Sequence, residues 1–292
     1  MNTNRHFSFA RLALVMKRDL MENWKANLYR FLGPYAVILF VMLVGYMKIT
    51  VNFAEFSSVI AGIFSSILFF GSTFTAAHMM ETMDTQQKRI SYLMLPATSL
   101  EKFISRALHV TVGFWVMTIL ALLLAEATRF LFLPLFDLPE AFHQSTLPGV
   151  LARLDFLADS SDITVSNTWP EKQNYSILWG QICSLLYMGW MHSFFILGGC
   201  HWQKNPFWKT LGILIIAHIL ILAVFINALI ELMKNNWQMY HEQLESYFGN
   251  VSINQSLTFF SVLLAMLIVL NWWLGYRSFA RQQVVNPKFR LL

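Results

Sequence analysis

Charged residues are scarce in this sequence. Asp, Glu, Lys and Arg make up 13% of its 292 residues, whereas soluble domains average about 25%. Hydrophobic residues account for 56%, with 26 Phe and 10 Trp among them. A chain with so little charge cannot hide its apolar surface in one core, so the composition predicts an integral membrane protein.

Sequence motifs of enzymes are missing as well. There is no P-loop, no His-Glu-x-x-His zinc motif and no Gly-x-Ser-x-Gly nucleophile elbow. The two cysteines, Cys183 and Cys200, lie in or beside one apolar run, which fits neither a metal site nor a disulfide framework. We therefore predict that the chain is not an enzyme, that it binds no cofactor or metal itself, and that it does not hydrolyse ATP alone.

Six apolar runs are long enough to cross a bilayer, because about 20 helical residues span its hydrocarbon core. They cover residues 29–47, 56–80, 103–136, 175–200, 207–232 and 257–276. The predicted fold class is an all-α membrane protein with six transmembrane helices and both termini on one side. The third run is longer than one span needs, so we expect it to tilt or to end in an interfacial turn.

The distribution of Lys and Arg indicates the orientation, since cytoplasmic loops are rich in both. With cytoplasmic termini, residues 81–102 form a cytoplasmic loop, residues 137–174 an external loop and residues 277–292 a basic cytoplasmic tail. All but five of the 21 basic residues then lie inside; the exceptions are Lys48, Arg129, Arg153, Lys172 and Lys234. The basic residues that give the net charge of +5 are thus distributed according to membrane topology and form no basic stripe. We therefore expect no nucleic-acid partner.

Residues 1–28, ahead of the first run, contain an amphipathic pattern. On a helix, one arc holds the apolar residues Phe9, Leu12, Met16, Leu20 and Trp24, and the opposite side holds Arg11, Arg18, Glu22 and Lys25. An apolar arc with basic flanks and Trp predicts a helix in the membrane interface that leads into the first span. A soluble helix packed on a partner is the alternative.

Ionisable residues inside spans are candidates for a transport pathway. The candidates are His218, near the middle of the fifth run, and Glu126 and Glu231, near the outer ends of the third and fifth runs. Helix packing is the alternative for His218. Interfacial ion pairs with Arg129 and Lys234, each three residues further on, are the alternative for the two acids.

Small residues recur at four-residue steps in the second run, at Ser58, Gly62 and Ser66. Such a face lets helices approach closely, either within the chain or at a dimer seam, and we expect packing within the chain.

The stretch 91–103, SYLMLPATSLEKF, interrupts two apolar runs. Pro96 disfavours helix at Leu95, and the spacing of Thr98 and Glu101 predicts a capping box that starts the third span. Ahead of it, Ile90, Leu93 and Met94 offer an apolar surface among charged neighbours, which suggests a docking surface. A loop lying on the membrane is the alternative.

The longer stretch RISYLMLPATSLEKF resembles the LPAS-x-x-EKF segment of bacterial permeases in the type-2 family of ABC transporters. The lead-in helix, the six spans and the basic cytoplasmic ends are similar to that family too. The resemblance implies an ATP-driven exporter in the bacterial inner membrane, built as a homodimer or heterodimer of permease subunits. It also implies that a coupling helix in the loop 81–102 contacts a separate cytosolic ATPase subunit, which would hold ATP and Mg²⁺. The implied docking residues are Asp84, Gln87, Lys88, Arg89, Ile90, Tyr92, Leu93, Met94 and Leu95.

Two other functions fit the sequence. One is a non-transporting membrane scaffold or assembly factor, which needs a partner but no substrate path. The other is a secondary carrier, which the small number of ionisable residues within the spans disfavours.

Overall fold

The computed structural model describes residues 7–47, 52–136, 138–154, 163–165, 173–175, 177–202, 204–234 and 253–281. Almost all of them are helical. Within this part of the chain, six helices are long and apolar enough to cross a membrane, as predicted. They cover Trp24–Met47, Phe53–Met83, Ser99–Leu135, Trp179–His201, Pro206–Ala228 and Asn254–Ala280, and we call them spans one to six.

Helix α1 (Phe9–Glu22) is followed after one residue by α2 (Trp24–Met47), which forms span one. The break falls at Asn23, whose backbone and side-chain N–H groups both donate to the carbonyl of Asp19. The lead-in helix therefore ends at Glu22, six residues before residue 28, the boundary that the hydropathy pattern suggested.

Spans two and three each contain one π-helical segment, a rare feature that often occurs at functional sites. Span two consists of α3 (Phe53–Ser66), a π segment (Ile67–Gly71) and α4 (Ser72–Ala77), and ends in a 3₁₀ turn (Glu81–Met83). Span three consists of α6 (Ser99–Leu108), a π segment (His109–Gly113) and α7 (Phe114–Phe132), and ends in a 3₁₀ turn (Leu133–Leu135). A short helix, α5 (Gln86–Leu93), connects the two spans.

The segment between spans three and four carries a 3₁₀ turn (Glu140–His143), α8 (Leu147–Leu154) and a small antiparallel ribbon. In the ribbon, β1 (Ile163–Val165) pairs with β2 (Gln173–Tyr175), with Thr164 opposite Asn174. Spans four, five and six are formed by α9 (Ile177–His201), α10 (Pro206–Lys234) and α11 (Ile253–Ala280).

The bundle has two apolar cores, one towards each end. The α5 end, which carries α1 and α5, has a core from spans two to six that includes Met79, Phe103, Phe195, Ile196 and Phe279. The α8 end has a core from spans one, two and three and the segment after span three that includes Met42, Tyr46, Phe56, Phe64 and Phe142. Ser8 and Ser278 both lie at the α5 end, since Ser8 contacts Glu101 and Ser278 contacts Cys200.

Span four crosses span two closely at Gly199. A Cβ atom added to Gly199 would lie 2.5 Å from the carbonyl oxygen of Ala77 and 2.9 Å from that of Ala76. Packing within the chain was expected at Ser58, Gly62 and Ser66 of span two. Ser58 and Ser66 are instead exposed, and a Cβ added to Gly62 would meet nothing within 4 Å. Close packing at Gly62 is therefore not observed.

This difference gives a matched pair of glycine substitutions. We expect Gly199→Ala to lower the free energy of unfolding by about 1–3 kcal/mol, because backbone oxygen atoms cannot move aside cheaply. Gly62→Ala should be neutral or stabilise by up to about 1 kcal/mol, because Ala favours helix in open space. Thermal unfolding of the purified protein in detergent measures both, and equal melting temperatures for the two variants would contradict the crossing described above.

Candidate functional site

Helix α5 lies across the ends of spans two and three. Its first turn is capped by Thr85, whose hydroxyl accepts from the backbone N–H of Lys88. It ends at Leu93, three residues before Pro96, which disfavours helix in the residue before it. The stretch that interrupts the apolar runs is therefore an ordered helical connection.

Buried side chains hold α5 in place. The hydroxyl of Tyr92, a residue only 1% exposed, donates to the carbonyl of Lys102 at 3.1 Å. The Lys102 ammonium in turn donates to the carbonyl of Leu93 at 2.7 Å. The guanidinium of the buried Arg89 donates to the carbonyl of Met83 in the 3₁₀ turn at 3.4 Å. These bonds tie α5 to the first turns of span three and to the last turn of span two.

The opposite side of α5 is exposed. Met94 is 75% exposed and Ile90 is 39% exposed. We call this side the α5 outer face and define it by Gln87, Lys88, Ile90, Ser91 and Met94, all exposed.

The nine docking residues implied by the family resemblance differ in exposure, and only some of them lie on the surface. Asp84 is exposed like the outer face, and Leu93 and Leu95 are half-buried. Arg89 and Tyr92 are buried and point inward, because residues three apart share one side of a helix. These two side chains anchor α5 and cannot belong to its outer surface.

A single carboxylate joins α1 to the start of span three. Glu101 and Thr98 form the capping box that their spacing predicts. The Glu101 carboxylate also accepts from the backbone N–H of Ser8 at 2.7 Å and pairs with the Arg11 guanidinium at 2.8 Å. The sequence gives no signal for this second role, because Arg11 lies 90 residues away along the chain. We call this contact the Glu101 latch.

A buried polar centre lies where α1, α5 and span three meet. The Asp19 carboxylate is fully buried, accepts from the Ser105 hydroxyl at 3.2 Å and lies 3.5 Å from the Tyr92 hydroxyl. Burial raises the pKa of Asp19, and the nearby Arg106 guanidinium opposes that shift. Burial, reinforced by Asp19, also raises the pKa of Tyr92. Tyr92 therefore stays a neutral hydrogen-bond donor.

Sequence reasoning missed Asp19, although a signal exists. It lies four residues after Val15 and seven after Leu12, and all three are buried on one side of α1. A lone acid on the packed side of an amphipathic helix is therefore the feature that marks this centre.

A second polar link at the α5 end joins spans one, two and three. Arg30 in α2 forms an ion pair with Glu81. Its Nη1 atom lies 3.2 Å from Asn27 Oδ1 and 3.3 Å from His109 Nε2. The ends of the three spans are thus connected by side chains as well as by α5.

The apolar arc predicted for α1 is only partly covered by protein. Leu12 is buried, but Phe9, Leu20 and Trp24 are 79%, 44% and 57% exposed. The side that packs on α6 is centred instead on Leu12, Val15 and Asp19.

Glu126 and Arg129 form a cluster at the α8 end that we call the α8-end clamp. Both side chains are buried, and Arg129 binds the Glu126 carboxylate through Nε at 3.1 Å and Nη2 at 2.9 Å. Arg129 also donates to the Tyr46 hydroxyl and to the carbonyls of Phe142 and Gln144. Glu126 further accepts from Ser145 and from the backbone and hydroxyl of Thr146. The clamp holds the segment 138–150 against spans one and three.

The three pathway candidates are not brought together. Glu126 belongs to the α8-end clamp. His218 is exposed on α10, and its Nδ1 atom lies 2.8 Å from the carbonyl oxygen of Leu214 in the same helix. Glu231 is also exposed on α10, and the side chain of Lys234 lies outside the described residues.

In the part of the chain that the structure describes, no group of three or more His, Cys, Asp or Glu side chains is placed to hold a metal ion. Comparisons of the chain with protein-family models, with curated proteins and with solved structures find no match.

Proposed function

We propose that this chain is the membrane-spanning permease subunit of an ATP-driven ABC exporter in the bacterial inner membrane. The observation that carries the proposal is α5, a short helix fixed across the ends of spans two and three with a mixed apolar and polar outer face. Such a face suits a protein partner. The sequence has no P-loop, so ATP and Mg²⁺ would be held by a separate cytosolic ATPase subunit.

The anchoring of α5 supports a coupling role. It is bonded to the first turns of span three through Tyr92 and Lys102, and to the last turn of span two through Arg89. A partner that shifts α5 would therefore move two span ends together, which is how small displacements at a docking surface become rigid-body movements of packed helices.

The proposed orientation places the α5 end in the cytoplasm, with both termini on that side, as the excess of Lys and Arg favours. Helix α1 would then lie in the inner interface, with the exposed Phe9, Leu20 and Trp24 against lipid. A second permease subunit, identical or different, would complete the transporter. Membrane lipid covers the remaining apolar surface.

The docking assignment predicts a strong effect of two substitutions on the α5 outer face. Ile90→Asp with Met94→Asp should reduce co-purification of an ABC-type ATPase by at least about tenfold, equivalent to about 1.4 kcal/mol. The measurement is affinity purification of the tagged chain from its native membranes, followed by mass-spectrometric identification of the P-loop subunit.

The matched control is Lys204→Asp, which adds negative charge at an exposed position at the same end of the bundle. It should keep the ATPase, and both variants should keep the melting temperature of the wild type. Unchanged co-purification with the double variant would show that α5 is not the docking helix.

The scaffold alternative is favoured by one observation, namely that the three pathway candidates are not brought together. It predicts the same partner but no substrate response. ATP hydrolysis by the reconstituted complex that rises with added substrate would exclude the scaffold. A complex whose hydrolysis never responds to any exported compound would favour it.

A further inference from the structure

Three neighbouring spans depart from a regular α-helix at the same level of the bundle. Spans two and three contain the π segments Ile67–Gly71 and His109–Gly113, and span one contains Pro34 within α2. The three departures are close in space, because Pro34, Gly71 and Phe114, the residue after the second π segment, line one groove. Proline and π segments are the usual causes of kinks in helices. The three spans are therefore most easily bent at one common level.

The two π segments are joined to each other. Gly71, which ends the first segment, lies directly against the Phe114 ring, where a Cβ atom would overlap the ring. The hydroxyl of Thr75 donates to the carbonyl of Val110 within the second segment at 3.0 Å. A change of backbone angle in one segment therefore displaces atoms that contact the other.

The two apolar cores meet at this level as well. In span two, Leu68 is the last buried residue of the α8-end core and Ala76 is the first of the α5-end core. In span three, Ala107 is the last buried residue of the α5-end core and Leu122 is the first of the α8-end core. Within the described part of the chain, spans two and three are the two that contribute buried residues to both cores, and they are also the two that contain a π segment.

Span one follows the same division. Arg30, before Pro34, forms its ion pair with Glu81 at the α5 end. Ile38, after Pro34, is the first buried residue that span one contributes to the α8-end core. The Glu101 latch fixes one end of the bundle and the α8-end clamp fixes the other, so the irregular turns lie between two separately fixed parts. Hinges have this arrangement, because a few residues absorb the change of angle between two rigid bodies.

We propose that Pro34 and the two π segments form one hinge, on which the α5-end core, together with α5, tilts against the α8-end core. The bond between Thr75 and Val110 makes spans two and three bend together. The segment 138–150 stays in place during this movement, because the α8-end clamp lies beyond the hinge. The inference goes beyond the proposed function, since such a hinge would act in a transporter and in a scaffold alike.

Distances between pairs of spin labels, measured by pulsed electron paramagnetic resonance on the full chain in nanodiscs, test the hinge. Labels at Met94 on α5 and at Leu131 in span three, both exposed, lie on opposite sides of it. Labels at Val116 and Leu131 both lie on α7 and give the matched control. We expect more than one distance for the first pair and a single distance for the second. Cys183 and Cys200 are replaced by Ala, and unlabelled protein is added in excess, so that the distances come from within one chain.

Thr75→Val removes the hydroxyl that joins the two π segments and keeps the shape of the side chain. It should change the ratio of the distances between Met94 and Leu131 by about threefold or more, as expected for the loss of one hydrogen bond. Thr118→Val is the matched control, because the hydroxyl of the buried Thr118 donates to the Phe114 carbonyl within span three alone. It should leave the ratio unchanged.

A single distance between Met94 and Leu131, as narrow as that of the control pair, would overturn the hinge, because the π segments would then be rigid parts of the bundle. More than one distance between Met94 and Trp208, an exposed residue in the first turn of α10 at the same end, would overturn it too, because α5 would then move by itself. An unchanged ratio in a Thr75→Val variant that keeps the wild-type melting temperature would overturn the coupling between the two segments.

Discussion

Replacing Arg129 with Met should lower the free energy of unfolding by about 3–5 kcal/mol, because the change breaks a buried ion pair and leaves one partner unpaired. The Arg129 side chain is 0% exposed and that of Glu126 is 5% exposed. Without the guanidinium, the Glu126 carboxylate remains buried with only its bonds to Ser145 and Thr146.

The loss extends to the segment after span three. Arg129 supplies the donors for the Phe142 and Gln144 carbonyls, at 3.0 and 2.7 Å, and for the Tyr46 hydroxyl at 2.9 Å. Each carbonyl left without a donor in a buried site adds a desolvation penalty. We therefore expect the segment 138–150 of the Arg129→Met variant to be cut faster in limited proteolysis, in addition to a lower melting temperature.

Two controls separate this clamp from a general effect of losing charge. Glu126→Gln combined with Arg129→Met should be less damaging than Arg129→Met alone, because no buried charge is then left unpaired. Glu231→Gln should change the free energy of unfolding by less than about 0.5 kcal/mol, because Glu231 is exposed on α10. A wild-type melting temperature for Arg129→Met would mean that the clamp does not hold the segment.

The spans could be predicted from the sequence because hydropathy over about 20 residues reports burial in lipid directly. The ends of the spans were harder to predict. Span one begins at Trp24 and span three at Ser99, each before the apolar run. Their first turns contain polar residues that contact other segments, Asn27 with His109 and Lys102 with the carbonyl of Leu93. The capping box was readable at Thr98 and Glu101, since it depends on two residues three apart.

The π segments and the inward side of α5 could not be predicted. No residue pattern in ILFFG or HVTVG distinguishes a π turn from an α turn, and the Thr75 hydroxyl that meets the second segment lies 35 residues from the Val110 carbonyl. Tyr92 was counted among the docking residues because its partners, Asp19 and Lys102, come from other helices and leave no signal in the sequence around it. An eight-residue helix is too short for its own periodicity to show which side is covered.

Glu101→Ala should lower the free energy of unfolding by about 3 kcal/mol, since it removes the carboxylate half of the capping box and charge-assisted bonds worth about 1.5–3 kcal/mol. The lost partners are the backbone N–H groups of Thr98 and Ser8 and the Arg11 guanidinium. Glu101→Gln should be milder, because Gln can still complete a capping box while the ion pair with Arg11 is lost.

Hydrogen exchange of α1 distinguishes the latch from the cap. In Glu101→Ala, amide exchange should rise in α1 as well as in the first turn of span three. In Arg11→Ala, which keeps the capping box, exchange should rise in α1 alone. Unchanged protection of α1 in both variants would mean that Leu12 and Val15, which pack on α6, hold the helix without the latch. Because the α5 outer face is untouched by either change, both variants should still co-purify the proposed ATPase, and any loss of ATP-driven transport would then come from α1 and not from docking.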